Sequence, residues 1–296
     1  MLGDVIRAVE EAESILLLSH INPDGDAIGS VYGFKKSLEA LGKTVYAVTE
    51  EPLSDYFEMF RDDFIPFKEF QEEYDLAVAL DTGDTKRLGK CFELFKGETA
   101  VIDHHETNEG YGKYNYIDGN SASCGEIIYD IIEDMNIILS PEAADGLYAA
   151  LLTDTGGFIY SNTTAETHRK AARLIEAGAD YVHINKKLME EKSFEVHRIT
   201  ALCVENMEFF ADGKICVVTL DNSFCEKNGI TAESISGLAA LPRTVSGVDT
   251  GVFISETVKG KTKVSLRSSE IVDAAEISVK FGGGGHLRAA GFTRED

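Results

Sequence analysis

Three short apolar runs, residues 15–19 (ILLLS), 76–80 (LAVAL) and 99–102 (TAVI), each stop at a loop that begins with His or Asp. Alternate side chains of a strand face opposite sides, so a run apolar at nearly every position is no half-exposed strand. It is buried on both faces, which calls for a parallel sheet covered above and below. The intervening sequence agrees. Residues 31–41 read as a helix that stops at Gly42, a left-handed C-terminal cap. Residues 44–49 (TVYAVT) read as a further strand, and 123–136 and 141–153 as helices. The last of these has Ser140 as N-cap and Pro141 at its first position, where a missing N–H costs nothing. Thr163 and Glu166 have capping-box spacing and open a helix expected to run to Gly178.

Repeated strand–helix units predict an α/β fold, with a doubly wound, mostly parallel sheet and helices on both faces. After about residue 195 the pattern changes. Residues 214–220, 249–256 and 262–267 read as strands, 231–240 and 273–280 as helices, and Gly282–Gly285 then lead into His286. The expected organisation is a first domain over 1–185, a helical linker over 186–200 and a smaller α/β domain over 201–296.

Charge narrows the partners. The chain carries 28 basic and 51 acidic residues, a net charge of −23. Coating long nucleic acid needs a field of Lys and Arg to displace counterions, so long polyanions are excluded as partners. Residues 260–296 hold six basic and five acidic residues, a net of +1 that leaves −24 on the preceding 259. The C-terminal end is therefore the place to grip a small anion. Apolar stretches are too short for a membrane helix, and the first residues have no signal-peptide pattern. Five cysteines without a CxxC suit a reducing compartment, so a cytoplasmic location and no membrane partner are expected.

Four segments concentrate Asp and His: His20-Ile21-Asn22-Pro23-Asp24-Gly25-Asp26, Asp81-Thr82-Gly83-Asp84, Asp103-His104-His105 and Asp154-Thr155-Gly156. The first three follow strands directly, and loops at the carboxyl ends of strands in a doubly wound sheet converge on one crevice. Carboxylate and imidazole without thiolate suit Mn²⁺ or Mg²⁺, and Zn²⁺ or Co²⁺ less well. Two His and four Asp exceed what one catalytic ion uses. Two ions sharing a carboxylate use them all, and paired ions ~3.5–4 Å apart are a recurring solution for cleaving phosphate esters. Four carboxylates against two dications leave about zero net charge, so a phosphate still needs outside cations. Arg87 is a candidate phosphate ligand or a structural ion pair. Phe158 and Tyr160 are candidates for stacking on a base or for burial against the sheet. The glycine run lets backbone N–H groups approach a phosphate without side-chain obstruction. It lacks the GK[ST] ending of a P-loop.

HINPDGDAIGS, DTGD, DHH and LLTDTGGF, in that order, resemble the four signature motifs of the DHH phosphoesterases, and GGGGHLRAAG resembles the glycine-rich signature of the DHH-associated C-terminal domain. The compact two-domain form is similar to the NrnA-type branch. Those enzymes degrade very short oligoribonucleotides and, in some members, 3′-phosphoadenosine 5′-phosphate (pAp) or linear and cyclic dinucleotides. The resemblance implies two bound divalent ions, Mn²⁺ first with Mg²⁺ or Co²⁺ as alternatives. It implies that His20 and Asp24 hold one ion, that Asp26, His104 and Asp154 hold the other, and that Asp81 bridges them. It places His105 beside the metals, touching the scissile phosphate or the nucleophilic water, and makes Asp103 a carboxylate that orients a histidine. Arg267, Gly283, Gly284, Gly285, His286 and Arg288 are the implied substrate grip, with one glycine, Gly282, in excess of the usual three. A short oligonucleotide or dinucleotide is the implied substrate, its length measured between the two domains, and a homodimer the implied assembly.

Three rivals remain at this stage. An inorganic pyrophosphatase of the same superfamily shares the metal motifs but wants a dense Lys/Arg cluster rather than a glycine loop. A nucleotide-sensing module binds without cutting, against which the complete ligand set speaks. A RecJ-type exonuclease needs extra domains and a basic track.

Overall fold

A computed structural model describes residues 2–295 apart from Glu233 and Ser236; the side chain of His286 is also outside the described atoms. The chain divides into two compact units, Met1–Glu191 and Lys192–Asp296.

In the first unit, helix α1 (Leu2–Glu11) leads into β1 (Ser14–Leu18), α2 (Gly25–Ala40) and β2 (Thr44–Thr49). Strands β3 (Phe64–Pro66), β4 (Leu76–Leu80), β5 (Glu98–Asp103) and β6 (Tyr114–Ile117) follow, then helices α3 (Cys124–Asp134), α4 (Pro141–Asp154), α5 (Ala165–Glu176) and α6 (Tyr181–Asn185). The six strands form one sheet in the order β3-β2-β1-β4-β5-β6, and every pairing is parallel. The order reverses between β1 and β4, and at such a switch point the loops beyond the two strands diverge and open a crevice. Burial on both faces follows the runs residue by residue. Ile15, Leu17, Val78, Leu80, Ala100 and Ile102 pack into a core with the α-helices. Leu16, Leu18, Ala77, Ala79 and Val101 pack on the other face, against Phe70, Leu88, Cys91 and Phe95. The covering of that second face comes from 3₁₀ segments, Phe67–Glu69 and Thr85–Leu94, and not from α-helices.

The contact between α2 and α4 rests on glycines spaced four apart. A Cβ at Gly29 would lie 2.4 Å from the carbonyl oxygen of Gly146, one at Gly25 2.4 Å from Thr153, and one at Gly33 2.8 Å from Leu147. With bare backbone along this stripe the two helices run antiparallel in close contact, and the start of α2 meets the end of α4.

Some boundaries differ from expectation. Helix α2 begins six residues earlier than residue 31, because Asp24 caps it by accepting from the Ala27 amide. The capping box before α5 is one residue later than expected. Thr164 accepts from the Thr167 amide and Thr167 returns a bond to the Thr164 amide, while Glu166 pairs with Arg169 instead. Edge strands β3 and β6 are short and only partly buried, so they carried no apolar signal.

The second unit runs from α7 (Phe194–Glu205) through β7 (Met207–Phe210), β8 (Ile215–Leu220), α8 (Asn222–Asn228), β9 (Thr250–Val258), β10 (Lys261–Ser268), α9 (Ala274–Lys280), β11 (Gly284–His286) and β12 (Ala289–Glu295). Its sheet has the order β11-β12-β10-β9-β8-β7 and is antiparallel except for β8 with β9. Between the units the chain passes through a π-turn at Lys186–Glu190 and then leaves helical geometry at Glu191 before α7 begins. The helix expected over 231–240 is absent among the described residues there. Thr231 and Ser234 exchange side-chain to backbone bonds, which compete with helical ones. A 3₁₀ segment containing Pro242 follows at Leu238–Thr244.

Candidate metal centre

The switch point decides what meets. His20 lies two residues beyond β1, and Asp81 is the first residue beyond the neighbouring β4. Asp103 ends β5, with His104 and His105 after it. Asp24 caps α2 and Asp26 sits in its first turn. Asp154 is the last residue of α4, delivered to the same place by the glycine stripe. The fourth segment thus joins the other three from a helix end.

Among the described residues, three overlapping groups have ligand atoms within 4.8 Å of one another: His20, Asp24 and Asp81; Asp26, His104 and Asp154; and Asp81, His104 and His105. Asp81 belongs to two of them through different oxygens. Its Oδ2 lies 3.6 Å from His20 Nε2, and its Oδ1 lies 3.5 Å from His104 Nε2. His104 Nε2 is also 3.7 Å from Asp26 Oδ2 and 3.8 Å from Asp154 Oδ2. His20 Nε2 is 3.8 Å from Asp24 Oδ1. Asp81 has φ of +50°, a left-handed conformation that Asp tolerates better than most residues. The turn aims its carboxylate between the loops of β1 and β5.

These separations are too long for hydrogen bonds. They lie near the edge of a coordination shell, since two ligands about 2.1 Å from one ion are roughly 3.0–3.4 Å apart. The tautomers fit the same reading. His20 Nδ1 donates to the Ile21 carbonyl at 2.9 Å, and His104 Nδ1 points to the Ser121 carbonyl at 3.3 Å. Each ring therefore turns an Nε2 lone pair toward carboxylate oxygens. A cluster of acceptors facing acceptors needs a cation. His20 Nε2 and Asp81 Oδ1 are indeed buried without a hydrogen-bond partner.

Protons answer the same need. Burial would depress the His20 imidazole, but Asp24 and Asp81 outweigh it and raise its pKa to about 10. His104 is likewise raised to about 10, against its burial, by Asp81, Asp26 and Asp154. Asp26 is held well above the usual carboxylate range by burial and by the Asp81 charge, and Asp154 is raised to about 6 by burial, despite the nearby His104. The residues fit a pair of divalent ions.

The surroundings fix these side chains in place, as residues able to hold a metal require. Asp26 accepts from the Cys124 and Gly125 amides at the N-terminus of α3, at 2.7 and 3.0 Å, and from Ser30 Oγ at 2.9 Å. Asn162 donates to the Asp154 main chain. Asp103 is fully buried and accepts from His105 Nδ1 at 2.7 Å, the His104 amide at 2.9 Å and Asn108 Nδ2 at 2.6 Å. It orients His105, and the His105 bond keeps its carboxyl low although burial pushes it up. Asn108, Ser30 and the α3 amides were missed in the sequence. Asn108 follows the DHH segment with nothing to mark it, and backbone amides carry no side-chain signature.

Arg87 lies in the 3₁₀ segment after β4. Its carbonyl accepts from the Ile21 amide; burial pushes the Asp24 carboxyl up, His20 outweighs this and lowers it, and the Arg87 charge adds only a minor part. Phe158 is half-buried, packed against the edge of the helical core and stacked on His168 with centroids 5.2 Å apart, while Tyr160 is exposed.

The remaining candidates lie in the second unit. Arg267 on β10 pairs in register with Ala289 on β12, and Gly284 to His286 form β11. Lys263, Ser265, Arg267, Gly284, Gly285 and Gly291 are among the residues lining a groove of about 370 Å³ that has no acidic side chain among its described residues. Arg288 donates to the Val272 carbonyl. The glycines differ in why they are glycine. A Cβ at Gly283 would lie 2.2 Å from the Gly291 carbonyl oxygen, and Gly285 has φ of +141°. Gly284 meets neither limit: a Cβ there would touch nothing within 4 Å. The His286 side chain, the other implied grip, lies outside the described atoms.

The chain matches the DHH family, N-terminal domain, over residues 14–151 and the DHHA1 domain over residues 212–296. It is 32% identical to the bifunctional oligoribonuclease and PAP phosphatase NrnA of Thermus thermophilus, covering 99% of this chain and 87% of that one. It is 29% identical to the protein of that name from Bacillus subtilis, over 98% and 92% of the two chains. An exopolyphosphatase-related protein of Bacteroides fragilis superimposes with a TM-score of 0.90 at 26% identity, over 98% and 89% of the chains.

Proposed function

This chain belongs to the DHH family of phosphoesterases, and on that premise we propose that it is a two-metal hydrolase of short oligoribonucleotides and dinucleotides such as pApA, with pAp and cyclic dinucleotides as further substrates. The observation that carries the reading is Asp81, one oxygen facing His20 and the other facing His104. That arrangement suits one carboxylate shared by two ions. In the proposed assignment His20, Asp24 and Asp81 hold one ion, and Asp26, Asp81, His104 and Asp154 hold the other. Mn²⁺ is the proposed ion, because the donors are oxygen and imidazole without thiolate.

When bound, such a pair supplies Lewis acidity toward the phosphate and a water acidic enough to attack near neutral pH. The side chains do the rest. Asp26, clamped by Ser30 and the α3 amides, and Asp81, fixed by its left-handed turn, keep the ligand set preorganised, so little reorganisation accompanies the reaction. Asp103 accepts a hydrogen bond from His105 Nδ1 and leaves Nε2 as an acceptor for the attacking water beside the scissile phosphate. In the second unit, Arg267, Arg288, His286 and the open backbone at Gly284 are proposed to hold a second phosphate. The lack of acid in that groove supports this in a protein of net charge −23. No helix among the described residues is long and apolar enough to cross a membrane. The five cysteines are buried and free, which supports action in the reducing cytoplasm. A homodimer is the proposed assembly, to be read by light scattering.

The test is a panel of 5′-phosphorylated oligoribonucleotides of two to about twenty-four residues, with pAp and cyclic di-AMP, assayed in Mn²⁺, Mg²⁺ and EDTA. Dinucleotides should be cut much faster per molecule than 24-mers and nothing should be cut in EDTA. Few phosphates are engaged, so raising salt should slow the dimer little. Equal rates at both lengths, or full activity in EDTA, would refute the proposal.

A further inference from the structure

Beside the metal loop lies a cavity of about 370 Å³. One wall is the segment between two centre residues: Ile21, Asn22 and Pro23, flanked by His20 and Asp24. The opposite wall is the chain after β2, where Pro52, Leu53 and Phe57 supply apolar surface. Leu53 and Phe57 are buried in the helical core and so give this wall a fixed backing. Ser54 is exposed at the rim and makes no capping bond to the 3₁₀ segment it precedes. Asn22 holds the loop in a left-handed turn with φ of +51°.

The lining excludes a phosphate. No Lys or Arg lines the cavity, and its two charged residues are Glu50 and Glu51. Glu50 is tied to Lys90, through both its amide and its ammonium. Glu51 has looser partners in Lys68 and Lys90, at 3.7 and 3.9 Å. The cavity therefore suits a flat, uncharged, largely apolar group whose polar edge donates hydrogen bonds to Glu51 and the side-chain oxygens of Asn22 and Ser54. Small-ligand sites have this character, apolar walls with a few placed polar groups. The part of a nucleotide that answers the description is a base with an exocyclic amine. We propose that this cavity is a nucleobase subsite next to the metal centre, and that it favours amino-bearing bases such as adenine over uracil. The proposal rests on the reading of the centre as a nucleotide phosphoesterase.

The test uses pApA, pUpU and two pApA analogues in which either base is replaced by hydrogen. Base stacking in a protein site is worth roughly 5- to 150-fold in binding. In the wild type, deleting the base that occupies the cavity should lower kcat/KM at least about fivefold. Ser54→Trp, which fills the rim without displacing a buried atom, should lower kcat/KM on pApA by a similar factor and leave the matching abasic analogue unchanged. Glu51→Gln should bring the preference for pApA over pUpU toward one while metal-dependent turnover persists. Equal losses on intact and abasic substrates, or wild-type indifference to both deletions, would overturn the subsite and leave the phosphoesterase reading standing. If the wild type cuts no dinucleotide, that reading falls. Equilibrium binding of adenosine 5′-phosphate against ribose 5-phosphate, to wild type and Ser54→Trp, then decides the cavity alone. Tighter binding of the adenosine compound, lost in the variant, supports it, and equal binding overturns it.

Discussion

Asp81→Asn is the sharpest test of the shared carboxylate, because it can be read without substrate. A ligand that binds only the folded protein stabilises it by RT ln(1 + [L]/Kd). With Mn²⁺ at about 100 times its Kd, the gain is about 2.7 kcal/mol. For a unit the size of Met1–Glu191, this raises Tm by roughly 5–11 °C. Changing a residue that merely supports a metal ligand costs about 10–100-fold in affinity, and Asp81 is the candidate ligand common to both sites. A loss of about 100-fold leaves the metal near its Kd at the same concentration, where the gain is about 0.4 kcal/mol and the shift about 1–2 °C. Asp24→Asn and Asp154→Asn each touch one of the two ligand sets, so they should retain a clearly larger part of the shift. The measurement is a thermal melt with and without Mn²⁺, each protein compared with itself in EDTA. A shift in Asp81→Asn as large as in the wild type, or larger than in both single-site variants, would refute the bridging role.

How much of this was legible depended on whether the signal was local. The apolar runs at 15–19, 76–80 and 99–102 required burial on both faces, and the acids at their ends required a common crevice. Those two inferences are enough to bring His20, Asp81 and Asp103 together. Asp154 was harder to place, because it follows no strand. It reaches the centre through the pairing of Gly25, Gly29 and Gly33 with α4, a packing relation between segments more than a hundred residues apart. A stripe of glycines four apart is visible in the sequence, but it does not say which helix it admits. The clamp on Asp26 is hidden for a similar reason, since its donors are main-chain amides 98 and 99 residues away. The misplaced box before α5 is a local failure. Thr163 and Thr164 are both competent caps, and only the return bond from Thr167 decides between them. In the second unit, β12 (AAGFTRE) escaped notice because glycine and charge interrupt its alternation, and two of the three residues of its partner β11 are glycine.

Gly29→Ala should destabilise the protein by about 1–3 kcal/mol in denaturant titration, because the new Cβ meets the Gly146 backbone rather than a movable side chain. It should also reduce the Mn²⁺-induced rise in Tm by loosening Asp154 against Asp26; an unchanged rise would mean that the stripe matters for stability alone. Asp103→Asn should keep that rise and lower kcat about 10–100-fold, since it removes the group that orients His105 and leaves the candidate ligands in place. A variant that loses the metal response instead would make Asp103 a ligand. The last expectation concerns pH and the far end of α2. Lys35 and Lys36 both bond Asp63 Oδ1, at 3.0 and 2.5 Å, tying the segment Asp55–Asp63 to the helix that carries Asp24 and Asp26. Burial alone would raise the Asp63 carboxyl, but the two ammonium groups outweigh it and its pKa is lowered. A carboxylate whose folded pKa is depressed contributes stability above its unfolded pKa, near 4, and loses it as pH falls through the lower folded value. Asp63→Asn keeps an acceptor oxygen but removes the charge. At neutral pH it should cost about 1.5–3 kcal/mol, the range for hydrogen bonds to a charged group. The gap between variant and wild type should then close as denaturation midpoints are followed from pH 6 down toward 3. A gap that stays constant over that range would mean that the pair contributes through shape and not through charge.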